Sequence, residues 1–202
     1  MSREDGSGRP AHDSRPVILF VGTSLTAGLG VDPDSAYPAL IQRKLDSAGI
    51  PLRAINAGVS GETSAGALRR FPTLLGDTIR ILVVETGAND GLRGLAPEST
   101  RANIDSIIAL ARAHDPTMAI VLAQMEAPPN MGPRFTAAFR GLFPDLARRR
   151  RAVLMPFLLA GVGGVDSLNQ DDGIHPTEAG HRLVATNVWR TIGPLASGRP
   201  AS

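Results

Sequence analysis

A serine near the start of the chain directly follows an apolar run. Residues 17–21 read V-I-L-F-V, which predicts a buried strand, and Gly22, Thr23 and Ser24 come next. A serine hydroxyl becomes an effective nucleophile only when a base accepts its proton and a third group orients that base. Because a serine after a strand is usually only a turn residue, its chemistry depends on partners elsewhere in the chain.

The same turn could alternatively bind a phosphate. A Walker loop requires the pattern G-x-x-x-x-G-K-[ST], and the turn after this strand contains no lysine. The dinucleotide fingerprint requires G-x-G-x-x-G, whereas the glycines here are Gly22, Gly28 and Gly30. The spacing therefore disfavours a phosphate site and leaves a nucleophile or a plain turn.

His175 is the best candidate for the base. It lies in the segment Q-D-D-G-I-H-P at 170–176, where Asp172 stands three residues before it and Gly173 permits a turn. Such a turn would fold the Asp172 carboxylate back onto the imidazole, fix its tautomer and stabilise the imidazolium. Asp171 is the alternative orienting residue.

Attack on a carbonyl also creates an oxyanion, which needs hydrogen-bond donors already in place. The backbone N–H groups of Ser24 and Gly61 and the side-chain amide of Asn89 follow three separate predicted strands. We expect these three groups to form the oxyanion hole.

The elements that position these residues alternate along the chain. Apolar runs rich in Ile, Val and Leu, without polar alternation, predict strands buried on both faces, and stripes at three-to-four spacing predict helices. This alternation predicts a parallel sheet covered by helices on both faces, with the site at the carboxyl ends of its strands. The predicted strands are 17–21, 52–56, 80–85, 118–124 and 152–157, and the predicted helices are 36–48, 64–75 (interrupted by Pro72), 98–113, 133–150 and 177–193.

Composition narrows the class of protein. The 202 residues suit one domain at 17–193, between a polar, disordered segment at 1–16 and a loose tail at 194–202. The sequence shows no run suited to an integral membrane segment and no signal peptide, so we expect a cytoplasmic protein unless a leader has been removed. Cysteine is absent, and the net charge of +2 does not indicate a nucleic-acid partner. The run Arg148 to Arg151 suits the C-terminal end of a helix.

For most other residues of reactive type, the sequence indicates a structural or surface role. His12, His114 and His181 are expected at the surface. A metal cluster is not indicated, because the acidic residues and histidines near His175 lack a zinc-enzyme spacing such as H-E-x-x-H. Phe135 is the member of the predicted 133–150 helix most suited to contact a substrate.

The motifs together resemble a known family. G-T-S-L at the first turn, G-A-N-D at 87–90 and D-G-I-H at 172–175 occur in the order found in the SGNH hydrolases, also called GDSL esterases and lipases. The resemblance is to the bacterial arylesterase and thioesterase I–lysophospholipase branch. It implies a flavodoxin-like three-layer α/β/α sandwich with a five-stranded parallel sheet. It also implies Ser24 as nucleophile, His175 as base and Asp172 as orienting residue, with Gly61 and Asn89 in the oxyanion hole.

The expected activity is hydrolysis of small-molecule esters with short to medium acyl chains or aryl groups, through an acyl-enzyme and without a cofactor, with thioesters as a further substrate class. Acyl transfer to another acceptor and carbohydrate deacetylation use the same site and stay as alternatives, as does a non-catalytic binding module. The resemblance implies that the loop 127–132 lies over the acyl site, and we expect substrate contacts from Thr23, Pro129, Asn130 and Phe135. One residue departs from the family pattern, since Thr23 replaces an aspartate and brings no charge.

Overall fold

A computed structural model describes residues 13–76 and 78–198, so the predicted disordered segment lies largely outside the described residues. Five parallel strands form one sheet in the order β2-β1-β3-β4-β5. This order is the flavodoxin-like arrangement, which confirms the predicted fold class. The strands are β1 Val17–Gly22, β2 Arg53–Gly58, β3 Ile79–Val84, β4 Ala119–Ala123 and β5 Val153–Met155.

Burial differs between the centre and the edges of the sheet. β1 is buried throughout, and β3 and β4 are buried over most of their lengths. The edge strands β2 and β5 are mostly half-buried, because a neighbouring strand covers only one side of each. The prediction of strands buried on both faces is therefore right for the three central strands and wrong for the two edges.

Helices cover both faces of this sheet. α2 packs against α7, whereas α5 packs against both α3 and α6. The apolar stripes predicted for the long helices face the core, where Phe20, Tyr37, Phe71 and Phe139 are fully buried. The helices are α1 Ser24–Ala27, α2 Tyr37–Ser47, α3 Ser64–Arg70, α4 Ala88–Leu92, α5 Pro97–His114, α6 Pro133–Arg150 and α7 Glu178–Ala196.

Two prolines act differently on the helices that contain them. The segment predicted as 64–75 is α-helical only to Arg70, and a 3-10 helix at Phe71–Leu74 carries Pro72 in its first turn. In contrast, α7 continues past Pro194 to Ala196, into the segment predicted as a loose tail. That boundary is corrected, because α7 ends at Ala196, which is buried against the core.

Candidate active site

The candidate residues gather where three neighbouring strands end. Ser24 opens α1 directly after β1, Gly61 lies in the turn after β2, and Asn89 lies in α4 after β3. These strands are adjacent in the sheet, so their carboxyl ends form one edge. Asp172 and His175 reach the same edge from the segment that precedes α7.

Ser24, His175 and Asp172 form a hydrogen-bonded chain. His175 Nε2 lies 2.8 Å from Ser24 Oγ, and His175 Nδ1 lies 2.5 Å from Asp172 Oδ2. An ionised carboxylate can only accept, so Nδ1 carries the ring proton and Nε2 is free to accept from the serine. The structure brings Asp172, and not its alternative Asp171, to the imidazole.

Asp172 is held by the short segment that contains its partner. Its Oδ1 accepts the backbone N–H groups of Ile174 and His175, each at 2.9 Å, and Gly173 has the left-handed φ of 67° that this turn requires. Hydrogen bonds lower the pKa of Asp172 to about 2. The bond from the His175 backbone N–H has the largest effect, and the bond from the His175 ring has the next largest. Solvent also reaches the carboxyl, since 45% of the side chain is exposed, so little desolvation opposes its ionised form.

Gln170 connects the histidine segment to the nucleophile segment, a role that the sequence did not reveal. Its Nε2 donates to the carbonyl of Leu29 at 2.7 Å and to that of Pro176 at 3.0 Å. A Cβ added at Gly30 would lie 2.1 Å from Gln170 Oε1, so glycine is needed where the two segments meet. The signal was the Gly30 that follows α1, which marks a close approach.

Besides the Ser24 N–H, the groups predicted for the oxyanion hole lie on two other segments. Gly61 adopts a left-handed φ of 75° in its turn. Asn89 Nδ2 donates to the carbonyl of Glu62 at 3.0 Å, which uses one of its two amide hydrogens and leaves the other available. The Ser24 N–H belongs to the first turn of α1, where backbone donors have no partner within the helix.

The buried side chain of Asp90 fixes the helix that carries Asn89. Asp90 is 1% exposed and accepts from the backbone N–H of Ser64 at 2.8 Å, from its hydroxyl at 2.5 Å and from the Thr100 hydroxyl at 3.2 Å. Asn103 also donates to the Ser64 hydroxyl at 2.9 Å. α4 is thereby tied to the start of α3 and to α5, so the backbone that carries Asn89 has a fixed position.

A second buried carboxyl lies beneath Ser24. Glu85 is fully buried and accepts from the Thr23 N–H at 2.8 Å, the Thr23 hydroxyl at 3.0 Å and the Thr26 hydroxyl at 2.7 Å. Tyr37 shares a further hydrogen bond with Thr26 at 2.7 Å. Burial raises the pKa of Glu85 against the effect of these bonds. Thr23 is 1% exposed and turned toward Glu85, which contradicts its predicted contact with substrate.

The loop 127–132 lies beside α4. An added Cβ at Gly91 would come within 3.3 Å of Ala127 Cβ, and one at Gly94 within 2.8 Å of the Met131 methyl group. Pro129 lines a cavity of about 640 Å³, and Met131 and Phe135 line another of about 400 Å³. Asn130 is exposed in the same loop. The loop and Phe135 therefore border open space next to the segment that carries Asn89.

The remaining histidines divide between surface and core. His114 is exposed, as predicted, and His12 lies outside the described residues. His181 is 1% exposed, so its predicted surface position is wrong. Its ring packs parallel to Tyr37, whose N–H it accepts at 3.3 Å, and burial lowers its pKa to about 4. Across 13–76 and 78–198, no group of three His, Cys, Asp or Glu side chains is arranged to hold a metal ion.

No helix within the described parts of the chain is long and apolar enough to cross a membrane.

The chain is similar to known proteins over the segment that carries these motifs. Residues 20–183 match the GDSL-like Lipase/Acylhydrolase family. The chain is 43% identical to Esterase TesA of Pseudomonas aeruginosa, covering 88% of each protein, and 36% identical to Arylesterase of Vibrio mimicus, covering 87% of each. The solved structure of the psychrotrophic esterase EstA from Pseudoalteromonas sp. is 31% identical and superimposes with a TM-score of 0.85, covering 90% of this chain and 98% of EstA.

Proposed function

The chain belongs to the GDSL-like lipase/acylhydrolase family, and from this premise we propose that it is a serine esterase with Ser24 as its nucleophile. One observation carries the proposal. The Ser24 hydroxyl lies 2.8 Å from His175 Nε2, and the other ring nitrogen lies 2.5 Å from Asp172. These separations suit direct proton transfer from the serine to the imidazole.

In the first half of the reaction Ser24 Oγ attacks the ester carbonyl carbon while its proton passes to His175 Nε2. The carbonyl oxygen becomes an oxyanion, which the Ser24 N–H, the Gly61 N–H and the free Asn89 amide hydrogen stabilise. The carbon–oxygen bond to the leaving group then breaks. His175 gives its proton to the departing alkoxide, which leaves as an alcohol, and the acyl group stays on Ser24.

In the second half a water molecule replaces the alcohol. His175 accepts a proton from the water, whose oxygen attacks the acyl-enzyme carbonyl, and the same three donors hold the second oxyanion. Collapse returns the proton from His175 to Ser24 Oγ and releases the carboxylic acid. Asp172 holds the imidazole in the correct tautomer and stabilises its cationic form in both halves.

For the substrate, we propose acyl or aryl esters with short to medium acyl chains. The support is the open space bordered by the loop 127–132 and by Phe135 next to α4. Pro129, Asn130 and Phe135 are the proposed substrate contacts. The relatives named as an esterase and an arylesterase agree with this substrate class.

The test compares Ser24→Ala with the wild type on p-nitrophenyl esters from acetate to palmitate, with phenyl acetate and an acyl-CoA alongside. We expect the variant to lose about 10⁴- to 10⁶-fold in turnover. It should also lose labelling by a fluorophosphonate probe. Ser106→Ala is the matched control, because this half-buried hydroxyl donates to the Ala102 carbonyl of its own helix at 2.9 Å. Near-normal hydrolysis by Ser24→Ala would refute the proposal.

A further inference from the structure

Arg93 contacts the turn that carries one of the proposed oxyanion donors. Its Nη2 donates to the carbonyl of Gly61 at 2.9 Å. The side chain lies just beyond the end of α4 and is exposed, so the contact is not a by-product of core packing. The proposed reaction does not use this guanidinium.

Asn89 and Arg93 both donate hydrogen bonds to the turn that contains Gly61. The two residues lie one helical turn apart, since the Arg93 N–H donates to the Asn89 carbonyl at 3.1 Å. Residues at this spacing share one face of a helix. Asn89 holds the Glu62 carbonyl at 3.0 Å and Arg93 holds the preceding carbonyl, that of Gly61. Two consecutive carbonyls of the turn are therefore bonded to one face of α4.

The turn needs such bonds because of its composition. It is closed by the Glu62 N–H donating to the Val59 carbonyl at 3.2 Å, and its Gly61 is the residue with the greatest backbone freedom. Arg70 anchors the flanks, where its Nη2 lies 2.7 Å from the Ala57 carbonyl and 2.7 Å from Glu62 Oε2. Those bonds do not involve the Gly61 carbonyl, which Arg93 holds.

We propose that Arg93 is a positioning residue of the oxyanion hole, one that fixes the Gly61 N–H relative to the Asn89 amide. The inference rests on the proposed serine esterase function. The two donors come from different segments, and they stabilise the same oxygen only if their separation is held within about 0.5 Å. The bond from Arg93 to the Gly61 carbonyl ties the residue that carries one donor to the helix that carries the other, and it thereby limits how far the two donors can move apart.

The test uses Arg93→Met, which keeps the apolar stem and removes the donor, and Arg93→Lys, which keeps a cationic donor. On neutral p-nitrophenyl acetate we expect Arg93→Met to lower kcat about 10-fold, well below the loss expected for removing a donor outright, with KM changed less than about two-fold. Arg93→Lys should recover part of the loss. Affinity for a trifluoromethyl ketone, which forms a tetrahedral adduct with the serine, should fall in parallel with kcat.

Arg69→Met is the matched control, since Arg69 is an exposed arginine on α3, and it should behave as wild type. A normal kcat in Arg93→Met would overturn the inference. So would a loss confined to KM, or one seen only with esters that carry an anionic group, because these patterns mean direct contact with substrate. Ser24→Ala is measured in the same assay. If it stays active the proposed function fails, whereas an inactive Ser24→Ala beside a normal Arg93→Met removes only the role of Arg93.

Discussion

Two carboxyl groups serve the segment around Ser24 in opposite environments. Asp172 has 45% of its side chain exposed, and hydrogen bonds from His175 and Ile174 lower its pKa to about 2. Glu85 is fully buried, and burial raises its pKa although Thr23 and Thr26 donate to it. The number of hydrogen bonds is similar in the two sites, so solvent access decides the direction in which each pKa moves.

The difference assigns separate work to the two acids. An ionised Asp172 can stabilise the imidazolium that His175 becomes when it takes the serine proton. Glu85, whose pKa is raised by burial, holds the segment on both sides of Ser24 through the Thr23 N–H and the hydroxyls of Thr23 and Thr26. Thr23 is compatible with this arrangement because its hydroxyl bonds Glu85 without placing a second carboxyl beside it. We therefore expect changes at Asp172 to affect catalysis and changes at Glu85 to affect stability.

Asp172→Asn should give the largest effect. The amide can present its NH₂ group to His175 Nδ1 and favour the wrong tautomer, so kcat should fall about 10³- to 10⁴-fold. The free energy of unfolding at neutral pH should fall by much less than in Glu85→Ala, because the Asp172 side chain is half exposed and solvent screens its contribution. Asp171→Asn is the control and should retain wild-type kcat in the same p-nitrophenyl ester assay. Equal losses in the two variants would contradict the assignment of Asp172.

Glu85→Ala should affect stability instead. It leaves the Thr23 N–H and the two threonine hydroxyls without their buried acceptor, so we expect a loss of about 3 kcal/mol in the free energy of unfolding, measured in urea. Glu85→Gln keeps the shape of the side chain and one acceptor oxygen, and it should lose only about 1 kcal/mol. If the glutamine variant is as unstable as the alanine variant, Glu85 acts through its charge and the comparison with Asp172 fails.

The pH dependence of stability should have opposite signs at the two positions. The raised pKa of Glu85 means that its contribution is complete below the ordinary value of 4.5 and is lost as pH rises through the folded value. The advantage of wild type over Glu85→Gln should therefore shrink with rising pH. The lowered pKa of Asp172 gives a contribution present above 3.8 and lost as pH falls toward about 2. Urea unfolding of both variants across pH checks the two slopes, and a common sign would contradict them.

The difference between the two carboxyls also separates what the sequence could predict from what it could not. Asp172 lies three residues from His175, so a single turn brings them together and the pair is visible as D-G-I-H. Likewise, the strands and long helices follow from local apolar patterns, and their alternation fixes the parallel sheet. α1 and α4 have only four and five residues, too few to show a helical period, and they were not predicted.

Glu85 could not be assigned in this way, because its partner Thr23 is 62 residues away and the contact exists only after β1 and β3 pair. His181 is similar, since it bonds Tyr37 across 144 residues and its burial depends on the packing of α2 against α7. For Glu85, the available signal in the sequence was a glutamate at the end of a predicted apolar strand. Such a residue either reaches solvent at the sheet edge or is buried with hydrogen-bond donors, and local sequence does not distinguish the two.

The smallest expected effect isolates a single hydroxyl in the Glu85 network. Thr23→Val keeps the shape of the side chain and the backbone N–H bond to Glu85 but removes the hydroxyl bond at 3.0 Å. Because Thr26 still donates to Glu85, the free energy of unfolding should fall by only about 1 kcal/mol, and kcat should stay within about three-fold of wild type. Thr23→Ser keeps the hydroxyl and should lose less in the same urea titration. A loss of kcat much larger than the loss of stability would mean that Thr23 acts on the reaction itself, and the division between the two carboxyls would have to be redrawn.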